Sequence, residues 1–258
     1  MTKEQEKTIE MLTEDSKKHA SVLALILIGS LAKNAGNENS DVDIIVVVTD
    51  DEFEKRRLTK NYFCGSLFRQ SDYPASVDGK IVNRDYLKRV RTDGNESAKN
   101  TFSAVKLLYA RDNQIAEILN YHEKSNYDKS ENIRKFYALM KSNRFRADDD
   151  LNNILQLKSS IFNTVFFACR LVLAHNDVRY PCLKNMEREV MKCGRKPENF
   201  IRNMRKLLET FSLDDLEAFY DETGEYFREY AYDDITRKGY VIENEEFWFF
   251  EVRPYSEL

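Results

Sequence analysis

Apolar and polar stretches alternate along the first 110 residues in a pattern that predicts strands between helices. Residues 22–28 and 44–48 are continuous apolar runs of strand length, and the second run is rich in β-branched side chains. Residues 76–82 form a third candidate strand. Helices are predicted over residues 2–18, 50–58, 85–90 and 98–109. This alternation favours an α/β unit.

The pattern changes after residues 121–132, a polar segment without apolar periodicity that we interpret as a linker. From residue 133 to residue 174 the periodicity is helical and nearly free of breakers. Further helices are predicted over residues 184–192, 197–208 and 213–230, and the aromatic segment 245–252 predicts a short strand or a packing tail. We therefore expect an α/β domain over residues 1–125 and an all-α helical bundle over residues 126–258.

Length and composition exclude several classes of protein. A chain of 258 residues is long enough for two domains, and 16 Phe with 14 Tyr are typical of a folded core. The net charge of −4 supplies no global basic field, so a nucleic-acid partner is disfavoured. The longest apolar run has seven residues and the N-terminus has no signal-like segment, so we expect no membrane span and a cytoplasmic protein. The four cysteines have no metal-site spacing and are expected to be reduced.

The most informative chemistry lies in residues 25–48. Because side chains alternate along a strand, Asp41 and Asp43 point the same way while Val42 points into the core. Two carboxylates on one face repel each other unless cations lie between them, and oxygen ligands suit Mg²⁺. Upstream, an apolar strand ends at Gly29 and Ser30, where a glycine turn and a hydroxyl can approach phosphate closely. The segment thus predicts a phosphate-binding turn beside a metal-binding carboxylate pair.

The alternative interpretation is an ordinary turn with a capping aspartate. An Asp-x-Asp pair alone is weak, but five fixed positions carry more weight: Gly29, Ser30, Ser40, Asp41 and Asp43. With each residue type near ~6%, this combination arises by chance in a chain of this length on the order of 10⁻⁴ of the time.

This segment resembles the nucleotidyltransferase superfamily that includes DNA polymerase beta, and within it the small bacterial aminoglycoside nucleotidyltransferases. The family pattern is Gly-Ser-x-Ala-x-Gly followed by Ser-Asp-x-Asp, and Ala32 matches it as well. Asn34 stands where a glycine is usual, and asparagine tolerates left-handed backbone. The resemblance implies an α+β nucleotidyltransferase domain with a short mixed sheet, followed by a helical substrate-binding domain.

The resemblance also implies a third carboxylate on a neighbouring strand. Asp78 is our candidate, although the adjacent Gly79 is unusual inside a strand; Asp72 and Asp85 are alternatives, and a turn aspartate is the competing interpretation. In the helical half, the segment around Tyr180-Pro181 resembles a loop in which an aromatic-proline pair precedes a lysine. Lys184 would then contact the triphosphate as a point charge, the competing interpretation being a solvated helix start.

The function implied by the resemblance is Mg²⁺-dependent nucleotide transfer. Asp41, Asp43 and Asp78 would hold one or two Mg²⁺ ions, and Gly29 and Ser30 would hold phosphates of ATP or another nucleoside triphosphate. The third carboxylate would serve as general base. The acceptor would be a small, hydroxylated and cationic molecule such as an aminoglycoside, which gives the chain a role in antibiotic resistance.

Two other functions stay open at this point. One is a regulatory nucleotide-binding protein of the same fold, including a toxin–antitoxin-type enzyme that modifies a protein. The other is a nucleic-acid polymerase, which the acidic balance disfavours. The acidic segments 148–150 and 214–225 either attract a cationic acceptor or form solvated faces, and we favour solvated faces.

Overall fold

The computed structural model describes residues 1–120, 129–149 and 152–255. The chain forms two compact units, Met1–Ser125 and Asn126–Leu258. Most of the predicted linker, residues 121–128, lies outside the described residues. Its last four residues, 129–132, begin a long helix instead of continuing a polar connection.

A four-stranded sheet with helices on both faces makes up the first unit. In chain order its helices and strands are α1 (Lys3–Lys18), β1 (Val22–Leu27), α2 (Gly29–Ala32), β2 (Val42–Val48), α3 (Asp50–Thr59), β3 (Val77–Val82), α4 (Arg84–Asp93), α5 (Glu96–Thr101), β4 (Lys106–Ala110) and α6 (Asn113–Asn120). The strand order across the sheet is β3-β2-β1-β4. The predicted α/β unit is thus confirmed.

The sheet is mixed, as expected. Strand β1 pairs antiparallel with both β2 and β4, whereas β2 and β3 run parallel. Alternate residues of β2 enter two separate cores: Val42, Ile44, Val46 and Val48 pack on the side of α1, and Ile45 and Val47 pack on the side of α4 and α6. Burial on both faces explains why β1 and β2 are continuously apolar in sequence. It also fixes the register, because a slip of one residue would exchange the two faces.

The predicted helix over residues 98–109 is wrong. The helical part is the short α5, which begins at Glu96 after the Asn95 cap and ends at Thr101. Residues Lys106–Ala110 instead form β4, an edge strand paired with β1. The sheet therefore has a fourth strand that the sequence pattern does not reveal.

The regular elements among the described residues of the second unit are all helices. Its helices are α7 (Lys129–Asp149), α8 (Ile154–His175), α9 (Leu183–Lys192), α10 (Phe200–Thr210), α11 (Leu213–Tyr226), α12 (Asp234–Glu245) and α13 (Phe247–Phe250). Helix α8 is the central one: it packs against α7 along its length, and most of it is buried. By length and hydropathy α8 is the one helix among the described residues that could cross a membrane, but 72% of its most apolar window is buried inside this core.

Arg170 lies in the middle of α8, only 2% exposed. Its guanidinium carbon lies 4.4 Å from the ring centroids of both Phe136 and Tyr180. It also donates a hydrogen bond to the carbonyl oxygen of Tyr255 at 3.2 Å. Cation–π contacts and this hydrogen bond stabilise a charge that would otherwise be costly to bury.

The C-terminal aromatic segment differs from both predictions made for it. Residues 245–252 contain the short helix α13 and no strand. Trp248 and Phe249 are 69% and 67% exposed, so the segment does not act as a packing tail at these positions. The packing comes from Val252 and Tyr255, which join the helical core.

Candidate active site

The segment from Gly29 to Ser30 lies directly beyond the end of β1. It forms the first turn of the four-residue helix α2, which is more regular than the open turn predicted from the sequence. The Ile28 N–H donates to the carbonyl oxygen of Asp43 at 2.9 Å, so this segment begins beside the start of β2. Both motif segments therefore meet at one end of the sheet, because β1 and β2 are antiparallel neighbours.

Gly29 packs directly against the carboxylate of Asp43. A side-chain carbon added to Gly29 would lie 2.1 Å from Asp43 Oδ2 and 3.0 Å from its Cβ. Gly29 also has φ of +70°, a left-handed conformation that disfavours other residues. Glycine is required here for two separate reasons, and the result is a carboxylate in contact with the backbone of the Gly29-Ser30 segment.

A hydrogen-bonded loop connects this segment to the carboxylates. The Ala35 N–H donates to the carbonyl oxygen of Ser30 at 2.9 Å, and the Asn37 N–H donates to Ser40 Oγ at 2.9 Å. The buried Gln5 side chain of α1 donates to the carbonyl oxygens of both Asn37 and Ser40 at 2.8 Å. Ser40 therefore shapes the loop that leads into Asp41, and Gln5 is a supporting residue that sequence reasoning missed.

Asp43 and Asp78 are register partners in the adjacent parallel strands β2 and β3. Paired residues of neighbouring strands project to the same face of a sheet, so both carboxylates lie on one face. Asp78 is exposed, and its Oδ1 accepts a hydrogen bond from the N–H of Gly79 at 2.7 Å. Asp41 is exposed one residue before β2 begins. Its placement on the side of Asp43 stays a prediction.

Gly79 is unusual inside a strand, and the packing of β3 against β2 explains why glycine is found there. A side-chain carbon at this position would lie 2.1 Å from the carbonyl oxygen of Ile44. Glycine thus permits the close approach of β3 to β2 that brings Asp78 beside Asp43.

The two alternative third carboxylates lie elsewhere. Asp85 is in the first turn of α4, after the opposite end of β3 from Asp78. There it lines a cavity of about 570 Å³ together with Phe53, Asn83 and Arg89. Asp72 precedes Tyr73, which packs into the core on the α1 side of the sheet, away from the face that carries Asp43. Asp78 is therefore the candidate that the sheet brings next to Asp43.

The carboxylates at this end of the sheet offer oxygen ligands only. Across the described residues, no three His, Cys, Asp or Glu side chains come together as a metal-binding group. Mg²⁺ usually uses one or two protein carboxylates and completes its shell with water and phosphate oxygens. The pair at positions 43 and 78 fits an ion of that kind, held jointly with a phosphorylated ligand.

Cys64 is the nucleophilic side chain nearest to this chemistry, and its environment argues against reactivity. It is buried, and burial raises the pKa of its thiol to about 11, with a further contribution from the negative charge of Asp78. The thiol is protonated at neutral pH and is therefore a poor nucleophile.

Lys184 belongs to the second unit. It is exposed and is the second residue of α9. Its contact with a triphosphate stays a prediction.

The acidic residues of the helical unit are largely engaged in pairs. Asp148 and Glu217 both pair with Arg144, Asp215 pairs with Lys206 at 2.6 Å, and Glu225 pairs with Arg228 at 2.7 Å. Lys206 and two hydroxyls lower the pKa of Asp215 to about 2. Paired and solvated carboxylates agree with the favoured interpretation of these segments, whereas Asp150 lies outside the described residues.

Residues 7–78 match the family model described as "Polymerase beta, Nucleotidyltransferase". No curated protein sequence matches the chain. A crystal structure of a nucleotidyltransferase-like protein from Exiguobacterium sibiricum 255-15 is similar at 13% identity and a TM-score of 0.44, covering 93% of this chain and 78% of the other.

Proposed function

Because the N-terminal part of this chain is a nucleotidyltransferase domain of the polymerase beta superfamily, we propose that the protein transfers a nucleoside monophosphate to a hydroxyl of a small acceptor. The first candidate donor is ATP, with AMP as the transferred group. The observation that supports the proposal is the contact of the Asp43 carboxylate with Gly29, because it joins the proposed metal ligand to the proposed phosphate-binding segment. A turn with only a structural role would not require the Gly29-Ser30 pair to contact the Asp43 carboxylate.

The phosphate-binding role falls to Gly29 and Ser30. Without a side chain, Gly29 leaves its backbone open to close approach by a phosphate oxygen. The Ser30 hydroxyl is half-buried next to it and can donate a hydrogen bond. We assign the leaving β- and γ-phosphates to this segment.

Asp43 and Asp78 are the first proposed ligands of one or two Mg²⁺ ions. Asp41 is the third, and because the described residues contain no three-carboxylate group, its side chain would have to turn toward the ion. Bound there, Mg²⁺ would neutralise phosphate charge and stabilise in-line displacement at the α-phosphate. The exposed Asp78 is also the candidate general base, since only one of its oxygens is engaged by Gly79.

In the proposed reaction the acceptor oxygen displaces pyrophosphate at the α-phosphorus. The acceptor oxygen forms a bond to the α-phosphorus, and the bond from that phosphorus to the oxygen bridging to the β-phosphate breaks. Pyrophosphate leaves with the electron pair of that bond. The proton of the acceptor hydroxyl goes to the base carboxylate and then to solvent.

The acceptor class rests on the resemblance to aminoglycoside nucleotidyltransferases and on charge. A small hydroxylated cation would be attracted to a chain with a net charge of −4. A role in antibiotic resistance would follow from that acceptor class.

The experiment measures transfer of label from nucleotides labelled at the α-phosphate to a panel of hydroxylated acceptors in the presence of Mg²⁺. Asp43→Asn should reduce transfer by ~100-fold or more, because it removes a negative charge from the metal site. Asp41→Asn and Asp78→Asn should also reduce transfer. Asp85→Asn is the matched control, since Asp85 lies at the opposite end of β3, and it should retain wild-type transfer.

Two outcomes would contradict the proposal. Equal transfer by wild type and Asp43→Asn would remove the carboxylate from the mechanism. Binding of magnesium nucleotide without transfer to any small acceptor or protein would favour the regulatory alternative.

A further inference from the structure

A lysine outside the recognised motif lies at the same end of the sheet. Lys106 is the first residue of β4 and pairs with Leu27, the last residue of β1. Gly29 follows Leu27 by two positions, so the pairing of β4 with β1 carries Lys106 to the end of the sheet where the Gly29-Ser30 segment lies. Lys106 shares the α1 face of the sheet with Leu27, whereas Asp43 lies on the opposite face, so Lys106 would act on a phosphate bound across the end of the sheet and not beside the carboxylates. No sequence motif joins Lys106 to the Gly29-Ser30 segment, because Lys106 follows Gly29 by 77 positions in the chain.

Asn34 holds the ammonium group of Lys106. Lys106 Nζ donates a hydrogen bond to Asn34 Oδ1 at 2.8 Å. Asn34 has φ of +54°, and its N–H donates to the carbonyl oxygen of Leu31 at 3.3 Å. Its neighbour Ala35 donates to the carbonyl oxygen of Ser30. Lys106 is thus tied to the loop that folds back on Ser30.

The charge of Lys106 is not neutralised by this contact. Its partner is a neutral amide, and within the described part of the chain Lys106 makes no ion pair with a carboxylate. An ammonium group has three donors, and Asn34 takes one of them. Lys106 is half-buried, and two donors of its ammonium group are left to bind an anion.

We infer that Lys106 is a phosphate-binding residue of the nucleotide site and that Asn34 is its positioning residue. This inference rests on the proposed function. The ligand it predicts is the polyphosphate of a nucleoside triphosphate, bound by Lys106 as a point charge and by the Gly29-Ser30 segment through hydrogen bonds. Lys106 comes from β4, and the Gly29-Ser30 segment is the start of α2, which follows the neighbouring strand β1.

The test compares affinities of the full chain for ATP and for adenosine by calorimetry with Mg²⁺ present. Lys106→Met should weaken ATP binding by about 10- to 100-fold, the range of a hydrogen bond to a charged group. Adenosine binding should not change, because adenosine has no phosphate. Lys88→Met, which replaces an exposed lysine of α4, is the matched control and should bind ATP like wild type.

Variants of Asn34 show whether Lys106 must be positioned by the Asn34 amide or acts through its charge alone. Asn34→Gly keeps the left-handed backbone but removes the amide, so it should weaken ATP binding less than Lys106→Met does. Asn34→Asp keeps the geometry and neutralises the lysine, so it should weaken ATP binding more than Asn34→Gly does. Lys106→Arg should recover part of the affinity. Unfolding in urea should show that each variant is folded.

The outcomes distinguish this inference from the proposed function. If wild type binds ATP and Lys106→Met binds it equally well, the inference is wrong and the proposed function stands. If Lys106→Met loses affinity for adenosine and ATP alike, Lys106 has a structural role and the inference is again wrong. If wild type binds no nucleoside triphosphate, the proposed function itself fails, and the inference fails with it.

Discussion

At the scale of single residues, the site depends on the absence of a side chain at Gly29. Its missing side chain leaves space that the Asp43 carboxylate occupies, and its left-handed backbone is one that alanine adopts only with strain. The Asp43 carboxylate and the backbone of the Gly29-Ser30 segment are therefore in contact. This contact brings together a Gly-Ser pair and an Asp-x-Asp pair that ten residues separate in sequence.

Gly29→Ala tests this contact directly. The substitution should lower the free energy of unfolding by about 2 kcal/mol, because the left-handed conformation is strained for alanine. It should also displace Asp43 and reduce nucleotide transfer much more than the loss of stability explains. Urea unfolding and the labelled-transfer assay measure the two effects.

Gly194→Ala is the control for that experiment. A side-chain carbon at Gly194 would contact nothing within 4 Å, so stability and transfer should stay near wild type. Wild-type transfer by Gly29→Ala would show that the contact between Gly29 and Asp43 has no part in the reaction.

Much of the residue-level site could be predicted, because its motif is local in sequence. Strand alternation correctly predicts that Val42 points into the core, and the apolar runs locate the end of β1 just before Gly29. Gln5 and Lys106 could not be predicted, since their contacts depend on how α1 and β4 pack. Such contacts are fixed by tertiary structure, and no spacing within the sequence indicates them.

At the scale of helices and strands, the sequence predicts correctly the elements that are buried on nearly all sides. Strands β1 and β2 and helix α8 are the most buried elements, and their apolar periodicity was clear. Strand β4 was mistaken for a helix because it is a partly exposed edge strand that follows the short α5. Its five residues carry too little alternation to be distinguished from the end of a helix.

His175, the last residue of α8, makes folding sensitive to acid. It packs edge-on against Phe227, with a centroid distance of 5.3 Å, and its Nδ1 is buried without a hydrogen-bond partner in the described part of the chain. Burial lowers the pKa of His175, and the positive charges of Arg195 and Lys129 lower it further, against the smaller opposing effects of Glu229 and Asp177. The folded protein therefore favours the neutral imidazole.

The free energy of unfolding should consequently fall as the pH drops below about 6.5, the ordinary pKa of histidine. In that range the unfolded chain binds a proton more readily than the folded chain does, and above it both forms are neutral. His175→Phe should show a smaller decrease between pH 7.5 and pH 5.5 in urea unfolding. His19→Asn should keep the wild-type decrease, and an identical decrease in His175→Phe would rule out this histidine as the cause.

At the scale of the whole molecule, the chain has separate cores in its two units. The N-terminal unit has one core on each face of the sheet, and the helical unit has a core built around α8. We expect the domain boundary near residue 125 to separate two regions that fold independently.

Fragments covering residues 1–125 and 126–258 test that expectation. Each fragment should give a cooperative thermal transition by circular dichroism, with a mixed α/β spectrum for the first and a helical spectrum for the second. A fragment 1–125 without a cooperative transition would show that the nucleotidyltransferase domain needs the helical unit in order to fold.

The central claim is that this molecule breaks the bond between the α- and β-phosphates of a nucleotide. Parallel reactions with ATP labelled at the α-phosphate and at the γ-phosphate, in the presence of Mg²⁺ and a hydroxylated acceptor, test it most directly. The account predicts α-label in the acceptor and γ-label in pyrophosphate, with both signals lost in Asp43→Asn. Transfer of γ-label to the acceptor, or its release as inorganic phosphate, would contradict it.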